Sequence, residues 1–226
     1  MTEHNFSPQE YKINLYKHFA RIGKALSNHV RLEILDLLIQ SEHTVESLAQ
    51  KTNLPIANVS QHLQVLKSAQ VVCVRREGTY GHYRVINEHI VALWRHMTDF
   101  AEETMPEVQD MMASPPPTES INAETVLAGL SNGEYVLLDA RPSDEYAAGH
   151  LPHAVSVPID IIEDALTTLP KDRPIVVYCR NRYCLLADSV AEALKQRGYD
   201  VQVLSMGMLE WQTEQYPIEL NRNQSE

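Results

Sequence analysis

Apolar residues are spaced differently in the two halves of the chain: at helical period in front, then as short strands alternating with helices. Over residues 11–26, Leu15, Phe19, Ile22 and Leu26 fall on one stripe, as in an amphipathic helix. Ser27 and Asn28 stop it, and Asn28 is placed to cap a second helix over 29–40, with Val30, Ile34, Leu35, Leu37 and Leu38 inward. Residues 1–10 carry no such pattern and read as loosely ordered. A short third helix starts near Thr44 and is broken at Asn53-Leu54-Pro55. A fourth spans 56–67, with Val59, Leu63 and Leu66 inward and Asn58, Ser60, Gln61, His62 and Gln64 outward. Two short helices joined by a tight turn behind a longer one make a helix-turn-helix. Residues 71–86 then read as a β-hairpin with a glycine-rich tip, decorated by Arg75, Arg76, His82 and Arg84. A last helix over 88–112 carries Ile90, Leu93, Trp94, Met97, Phe100 and Ala101 on one face, more apolar surface than one hairpin needs.

Pro115, Pro116 and Pro117 interrupt the pattern and favour an extended spacer. The boundaries expected are therefore a first domain over 1–112, a linker over 113–120 and a second domain over 121–226. In the second domain a helix over 121–130 leads to an apolar strand over 135–141 that ends in a charged pair, Asp139 and Arg141. A short helix from Ser143, a turn over 149–154, a strand over 155–157 and a helix over 161–169 follow. Then come a strand at 175–178, a helix over 185–195, a strand at 200–204 and a final helical turn. Such alternation builds an α/β domain on a parallel sheet. The fold class expected is thus a mainly helical winged helix-turn-helix domain followed by an α/β domain.

Composition narrows the setting. A length of 226 residues with 44% hydrophobic content suits two globular domains. No apolar run approaches the roughly 18 residues of a membrane span, and the N-terminus lacks a signal-peptide pattern. The expected location is the cytoplasm, with no membrane partner. Three cysteines, an odd number in a reducing compartment, argue against a disulfide scaffold and for reactive chemistry. The net charge of −11 is uneven: residues 1–87 hold ten Lys/Arg against seven Asp/Glu, whereas 113–226 hold eight against seventeen. A basic front on an acidic chain points to nucleic acid there. On the fourth helix the short polar side chains of Asn58, Ser60, Gln61, His62 and Gln64, with Lys67, suit base edges and phosphates. On the hairpin, Arg75, Arg76 and Arg84 suit a phosphate backbone.

The front half resembles the ArsR/SmtB-type winged-helix repressors. The resemblance rests on residues 25–35, on 59–67, and on Val71, Val72, Arg75, Arg76, Glu77, Gly78 and Tyr83, and covers about 10–105. It implies a homodimer joined through the first and last helices, with its fourth helices in successive major grooves of a palindromic, double-stranded operator. Many relatives sense metals through a Cys-x-Cys on the third helix or an Asp/His set on the last. Here residues 41–46 hold no cysteine, and His89, His96, Asp99 and Glu103 make no evident dimer-bridging four-ligand set. No metal and no cofactor is expected. Cys73 reads as a small strand residue.

In the second domain the short β-branched run 175–178 delivers Cys179 to a loop that ends at Cys184 and leads into a helix. Unsatisfied N–H groups and the helix dipole favour an anion or thiolate there, so Cys179 reads as a nucleophile in the loop Arg180, Asn181, Arg182, Tyr183, Cys184. This half resembles the rhodanese superfamily, over about 120–220. The resemblance rests on residues 138–141, 145–154, 177–179 and 207–211. It implies that Cys179 accepts a sulfane sulfur from a donor, becomes a persulfide and passes the sulfur to a thiol acceptor. It further implies that inward loop amides hold the anionic sulfur, that Asp139 and Arg141 support the loop, and that His150 shapes its turn. Phosphatases of this fold need Cys-x5-Arg, but the seventh residue here is Leu185. Two departures stand out. Asn181 lies where a glycine is often found, and is expected to take the left-handed conformation in its stead. Cys184 either caps the helix and packs, or resolves a Cys179 persulfide into a disulfide or polysulfide bridge.

Three functions follow in order of preference. The first is a dimeric DNA-binding repressor whose affinity for its operator responds to sulfur carried on Cys179. The second is chiefly a thiosulfate or polysulfide sulfurtransferase with an accessory DNA-binding domain. The third is a metal-sensing repressor.

Overall fold

The structure, a computed structural model, describes residues 7–113, 118–130 and 132–220. It divides into two compact units, 1–100 and 101–226. In the first, α1 (Pro8–Leu26) begins earlier than its apolar stripe, because Ser7 and Glu10 form a reciprocal capping box ahead of Pro8. Of the α1 residues only Ala25 is buried, and Leu15 and Phe19 of the stripe are exposed, with Tyr11 and Tyr16 beside them. Asn28 caps α2 (His29–Gln40) as expected, its side chain accepting from the Arg31 N–H at 3.2 Å. Thr44 caps α3 (Val45–Thr52), which ends on Asn53 in the left-handed region at φ 54°. The turn leads to α4 (Ile56–Ser68), and Val59, Leu63 and Leu66 are fully buried against Ile34, Leu35, Leu38 and Leu48.

The hairpin of β1 (Val72–Glu77) and β2 (Tyr80–Val85) closes through Gly78 and Thr79, with Gly78 at φ +57°. Its buried Tyr83 forms a bridge with His43. The single helix expected over 88–112 is two: α5 (Glu88–Thr104) and α6 (Pro106–Ala113). Pro106 lacks an N–H and crowds Met105 out of the helical region, so the ladder restarts. Residues 101–113 group with the second unit.

The second unit holds five parallel strands in the order β3-β7-β6-β4-β5. They are β3 (Ser120–Ile121), β4 (Val136–Asp139), β5 (Val155–Ser156), β6 (Ile175–Tyr178) and β7 (Val201–Leu204). The helices are α7 (Ala123–Leu130), α8 (Ser143–Ala148), α9 (Ile162–Ala165), α10 (Leu186–Lys195) and α11 (Met208–Thr213). Residues 161–169, expected as one helix, resolve into a 3₁₀ turn (Ile159–Ile161), the four-residue α9 and further turns. The end of the expected linker belongs to the sheet: Ser120 and Ile121 pair with Val203 and Leu204 as β3. Two residues have no readable period, and their pairing is fixed by a strand more than eighty positions away. The prolines at 115–117 lie outside the described residues.

Each face of the sheet packs its own apolar layer. One contains Val177, Cys179, Val190 and Leu194, the other Val176, Tyr178, Leu204 and Trp211. Both converge on β6, which is buried along its whole length and flanked by β4 and β7. Beside its C-terminal end lies a buried polar knot. The Asp139 carboxylate accepts from Arg141 Nε at 3.0 Å, Arg141 Nη2 at 2.6 Å and the Tyr178 hydroxyl at 2.6 Å. Arg141 also donates to the Gly149 carbonyl at 2.7 Å, and the Tyr178 oxygen accepts from the Leu151 N–H at 3.1 Å. Burial pulls the Arg141 pKa down, but the hydrogen bonds and charge of Asp139 outweigh it and leave the guanidinium above its ordinary value. Burial and the Asp139 charge push the Tyr178 phenol well above its usual range, so it remains a donor.

Asp139→Asn leaves Arg141 buried without its counter-charge and is expected to cost about 3–5 kcal/mol. Tyr178→Phe removes two hydrogen bonds, one to Asp139 and one from the Leu151 N–H, and is expected to cost about 1–3 kcal/mol. Urea unfolding followed by Trp211 fluorescence in a Trp94→Phe background reports on the second unit. Equal losses for the two variants would contradict the role given to Asp139.

Candidate functional site: a closed cysteine loop and an arginine-bearing wing

Cys179 follows β6 directly and is 2% exposed, so the strand end delivers it into the core rim. It is joined to Cys184 by a disulfide across the loop, with the two Cα atoms 6.2 Å apart. The nucleophile read from sequence is masked in this state. α10 starts at Leu186, beyond Cys184. Beneath the loop runs the N-terminus of α11, whose Met208 and Leu209 N–H groups donate to the carbonyls of Cys179 and Arg180, both at 2.9 Å. Gly207 makes that approach possible: a Cβ there would lie 2.2 Å from the Asn181 backbone nitrogen. Glu210 receives the Gly207 N–H at 2.9 Å and the Arg182 N–H at 3.5 Å.

Three expectations for the loop change. Asn181 is not left-handed; it is buried, and its side-chain oxygen accepts from the Tyr183 N–H at 3.0 Å while its carbonyl accepts from the Cys184 N–H at 3.1 Å. Two of the loop amides expected to hold an anionic sulfur, those of Tyr183 and Cys184, are therefore occupied by the protein itself. The two arginines are also engaged. Arg180 makes a bidentate pair with the fully buried Glu145, at 2.8 and 2.7 Å. Arg182 lies over the Tyr183 ring, donates to its hydroxyl at 3.2 Å and pairs with Glu102 at 2.8 Å. Asp139 and Arg141, expected to support the loop, bond to Tyr178, the residue before Cys179, and to the 149–151 turn. His150 sits in that turn, buried, stacked on Tyr146 at 3.9 Å and bridged to Glu219. Glu145 and Glu210 were missed as contacts of the loop. No spacing relates them to it, since 35 and 28 positions separate them from Arg180 and Arg182.

In the first unit, Asn58, Gln61, Gln64 and Lys67 are exposed on α4, and Ser60 and His62 are half-buried. Burial, then the charges of Arg31 and His29, lower the His62 pKa, which keeps the ring neutral near pH 7, one nitrogen a donor and the other an acceptor. Gln64 and Lys67 of α4 line a cleft with Glu46 of α3 and Arg76, Thr79 and Tyr80 of the hairpin, so α4 and the wing share a polar face. Arg75 and Arg84 differ. Both pair with Glu42, at 3.0 and 3.3 Å, and Arg75 also holds Glu77 at 2.7 Å. The strand register explains the split, because Arg75 faces the side of the hairpin that His82 and Arg84 share, and Arg76 the other. Among the described residues no group of three or more His, Cys, Asp and Glu side chains is placed to hold a metal ion. Cys73 is a half-buried free thiol on β1. No described helix is long and apolar enough to cross a membrane.

A winged helix-turn-helix unit joined to a parallel α/β unit with a cysteine at its central strand end defines a winged-helix regulator fused to a rhodanese-like fold. Family models agree: "Bacterial regulatory protein, arsR family" matches residues 28–73, and "Rhodanese-like domain" matches 122–214. The chain is 39% identical over 212 residues to the HTH-type transcriptional regulator Rv0324 of Mycobacterium tuberculosis, covering 92% of this chain and 93% of that one. It therefore belongs to the ArsR-family DNA-binding regulators that carry a C-terminal rhodanese-like domain. A sulfurtransferase of Allochromatium vinosum is 34% identical over 101 residues, covering 43% of this chain and 92% of that one. Among solved structures, the homodimeric winged helix-turn-helix domain Mb0332 of Mycobacterium bovis is 39% identical. It covers 47% of this chain and 95% of that one, at a TM-score of 0.42.

Neutralising Glu42 frees Arg84 from its carboxylate and leaves Arg75 held by Glu77 alone. Glu42→Gln is expected to tighten DNA binding and to steepen the slope of log affinity against log salt by up to about 2. Fluorescence anisotropy across a salt series checks this, and an unchanged slope would show that Arg75 and Arg84 do not reach phosphate.

Proposed function

We propose that the chain is a homodimeric repressor whose rhodanese-like unit takes a sulfane sulfur on Cys179 as a persulfide, and whose operator affinity changes as a result. The observation that carries the reading is Cys179 itself, at the end of the central strand on a six-residue loop closed by a second cysteine, in one chain with a DNA-binding unit. A cysteine used only for packing has no need of a cysteine partner five residues on. The loop length supports sulfur over phosphate, because the position where a phosphatase needs arginine is the exposed Leu185. Dimerisation is supported by the apolar surface left open on α1 and α5. Tyr11, Tyr16 and Phe19 of α1 are more than half exposed and Leu93 of α5 is exposed, and a stripe of this size calls for a second copy. The proposed DNA contacts are Asn58, Ser60, Gln61, His62, Gln64, Lys67 and Arg76, joined by Arg75 and Arg84 once Glu42 yields them. The cytoplasm, where dithiols keep the loop reducible, is the setting this chemistry needs.

A second reading, in which the chain works chiefly as a sulfurtransferase, draws on the similarity of its second unit to the Allochromatium vinosum enzyme. One comparison separates the two. An operator is selected from random-sequence DNA by the reduced full chain, and binding is measured with and without sodium tetrasulfide. The first reading expects a change of at least about tenfold, or 1.4 kcal/mol, in the wild type and none in Cys179→Ser. Steady turnover of thiosulfate with a thiol acceptor, alongside unchanged DNA affinity, would favour the second. A response that survives in Cys179→Ser would sink the first.

A further inference from the structure

Resting on the reading that Cys179 takes up sulfane sulfur, we infer that Cys184 is the resolving thiol of the site and that the product of resolution is hydrosulfide. Three observations converge. First, Cys179 and Cys184 are already bonded, with a Cα separation inside the range that disulfides adopt. Their five-residue separation makes the reaction intramolecular and fast relative to any outside thiol. Second, the loop satisfies its own amides in the closed form. Asn181 occupies the Tyr183 N–H with its side chain and the Cys184 N–H with its carbonyl, and Glu210 faces the Arg182 N–H. Closure strands none of these three donors, and a persulfide anion must compete with a carboxamide and a carboxylate for them. Third, both loop arginines are committed to carboxylates, Arg180 to Glu145 and Arg182 to Glu102, which reduces their pull on an anionic sulfur. The side chain at 181 and the thiol at 184 act together: one takes a place that an anion would use, and the other removes the anion.

The chemistry balances without further reagents. The Cys179 thiolate attacks a terminal sulfur of a polysulfide, a sulfur–sulfur bond breaks, and the shortened polysulfide leaves with the electron pair. Cys184 then attacks Cys179 Sγ. The Cys179–Cys184 bond forms, and the bond to the outer sulfur breaks. That sulfur leaves with the electron pair and the proton Cys184 gave up, as hydrosulfide. Two thiols are oxidised to a disulfide while one sulfane sulfur is reduced to sulfide. Hydrogen sulfide is a stronger acid than a cysteine thiol, so its conjugate base, hydrosulfide, departs more readily than either cysteine thiolate would. A dithiol reductant reopens the bridge, so each loading is a single event until the site is reset.

The test uses reduced full-length protein under anaerobic conditions, sodium tetrasulfide as donor, removal of excess donor, alkylation, and intact and peptide mass spectrometry. Wild type is expected to end lighter by two hydrogen atoms, with Cys179 and Cys184 protected from alkylation until a dithiol is added. Cys184→Ser, with Cys184→Ala as a second variant, is expected to hold one extra sulfur on Cys179. A wild type that keeps the extra sulfur on Cys179 while Cys184 is alkylated would overturn the inference and leave the persulfide reading standing. A wild type bridged by an added sulfur atom would also overturn it, since hydrosulfide would not have left. A Cys184→Ser protein that gains no sulfur would sink both. Asn181→Gly supplies a further readout: with the Tyr183 N–H released, the Cys184→Ser persulfide is expected to survive at least about tenfold longer in the double variant. An unchanged lifetime would remove Asn181 from the account.

Discussion

The second unit depends on one buried carboxylate. Asp139 sits at the C-terminal end of β4 and receives Arg141 and Tyr178 at once. Through Arg141 it fixes the Gly149 carbonyl, and through Tyr178 it fixes both the Leu151 N–H and the residue that carries Cys179 out of the sheet. A charge fully removed from water costs several kcal/mol unless its partners are held in place, so the knot tolerates little movement of any member. The turn at 149–151 and the departure point of the cysteine loop are thereby held to one another across the strand ends. The rigid element is the base of the loop.

Both functional surfaces share a physical theme. Arginines placed where an anion is to be met are held by the protein's own carboxylates: Arg75 and Arg84 by Glu42, Arg180 by Glu145, Arg182 by Glu102. The two classes differ in strength. Glu145 is fully buried and its pair with Arg180 is bidentate, so Arg180 shapes the loop and is poorly suited to reach a ligand. Glu42 and its partners are partly exposed, where an ion pair contributes about 0–1 kcal/mol and a phosphate competes easily. Burial thus decides which arginines belong to the scaffold and which remain exchangeable at the surface.

Much of the fold was readable because its signals are local. Asn28 caps the helix it was expected to cap, the third helix starts at Thr44 as expected, Val59, Leu63 and Leu66 are the buried face of α4, and Gly78 turns the hairpin. The misses follow from non-local causes. Strand β3 exists only because β7 offers an edge, and the last amphipathic face breaks in two because Pro106 overrides a periodicity that runs through it. At the site, Cys179 and its loop could be found by strand pattern and cysteine spacing. Glu145, Glu210 and the close approach of Gly207 could not, since each meets the loop from a distant segment.

The sequence by itself determined the two-part architecture, the buried and polar faces of α4, and the cysteine at the end of a buried strand, because period, caps and breakers act over a few residues. Tertiary structure decided what surrounds them. It set which arginines are paired and with what, turned Asn181 from an expected left-handed residue into an acceptor for its own loop, and bonded Cys184 to Cys179. The physical reason is that charge and hydrogen-bond satisfaction in a buried site are settled by groups converging from several elements, and no short window of sequence contains them all.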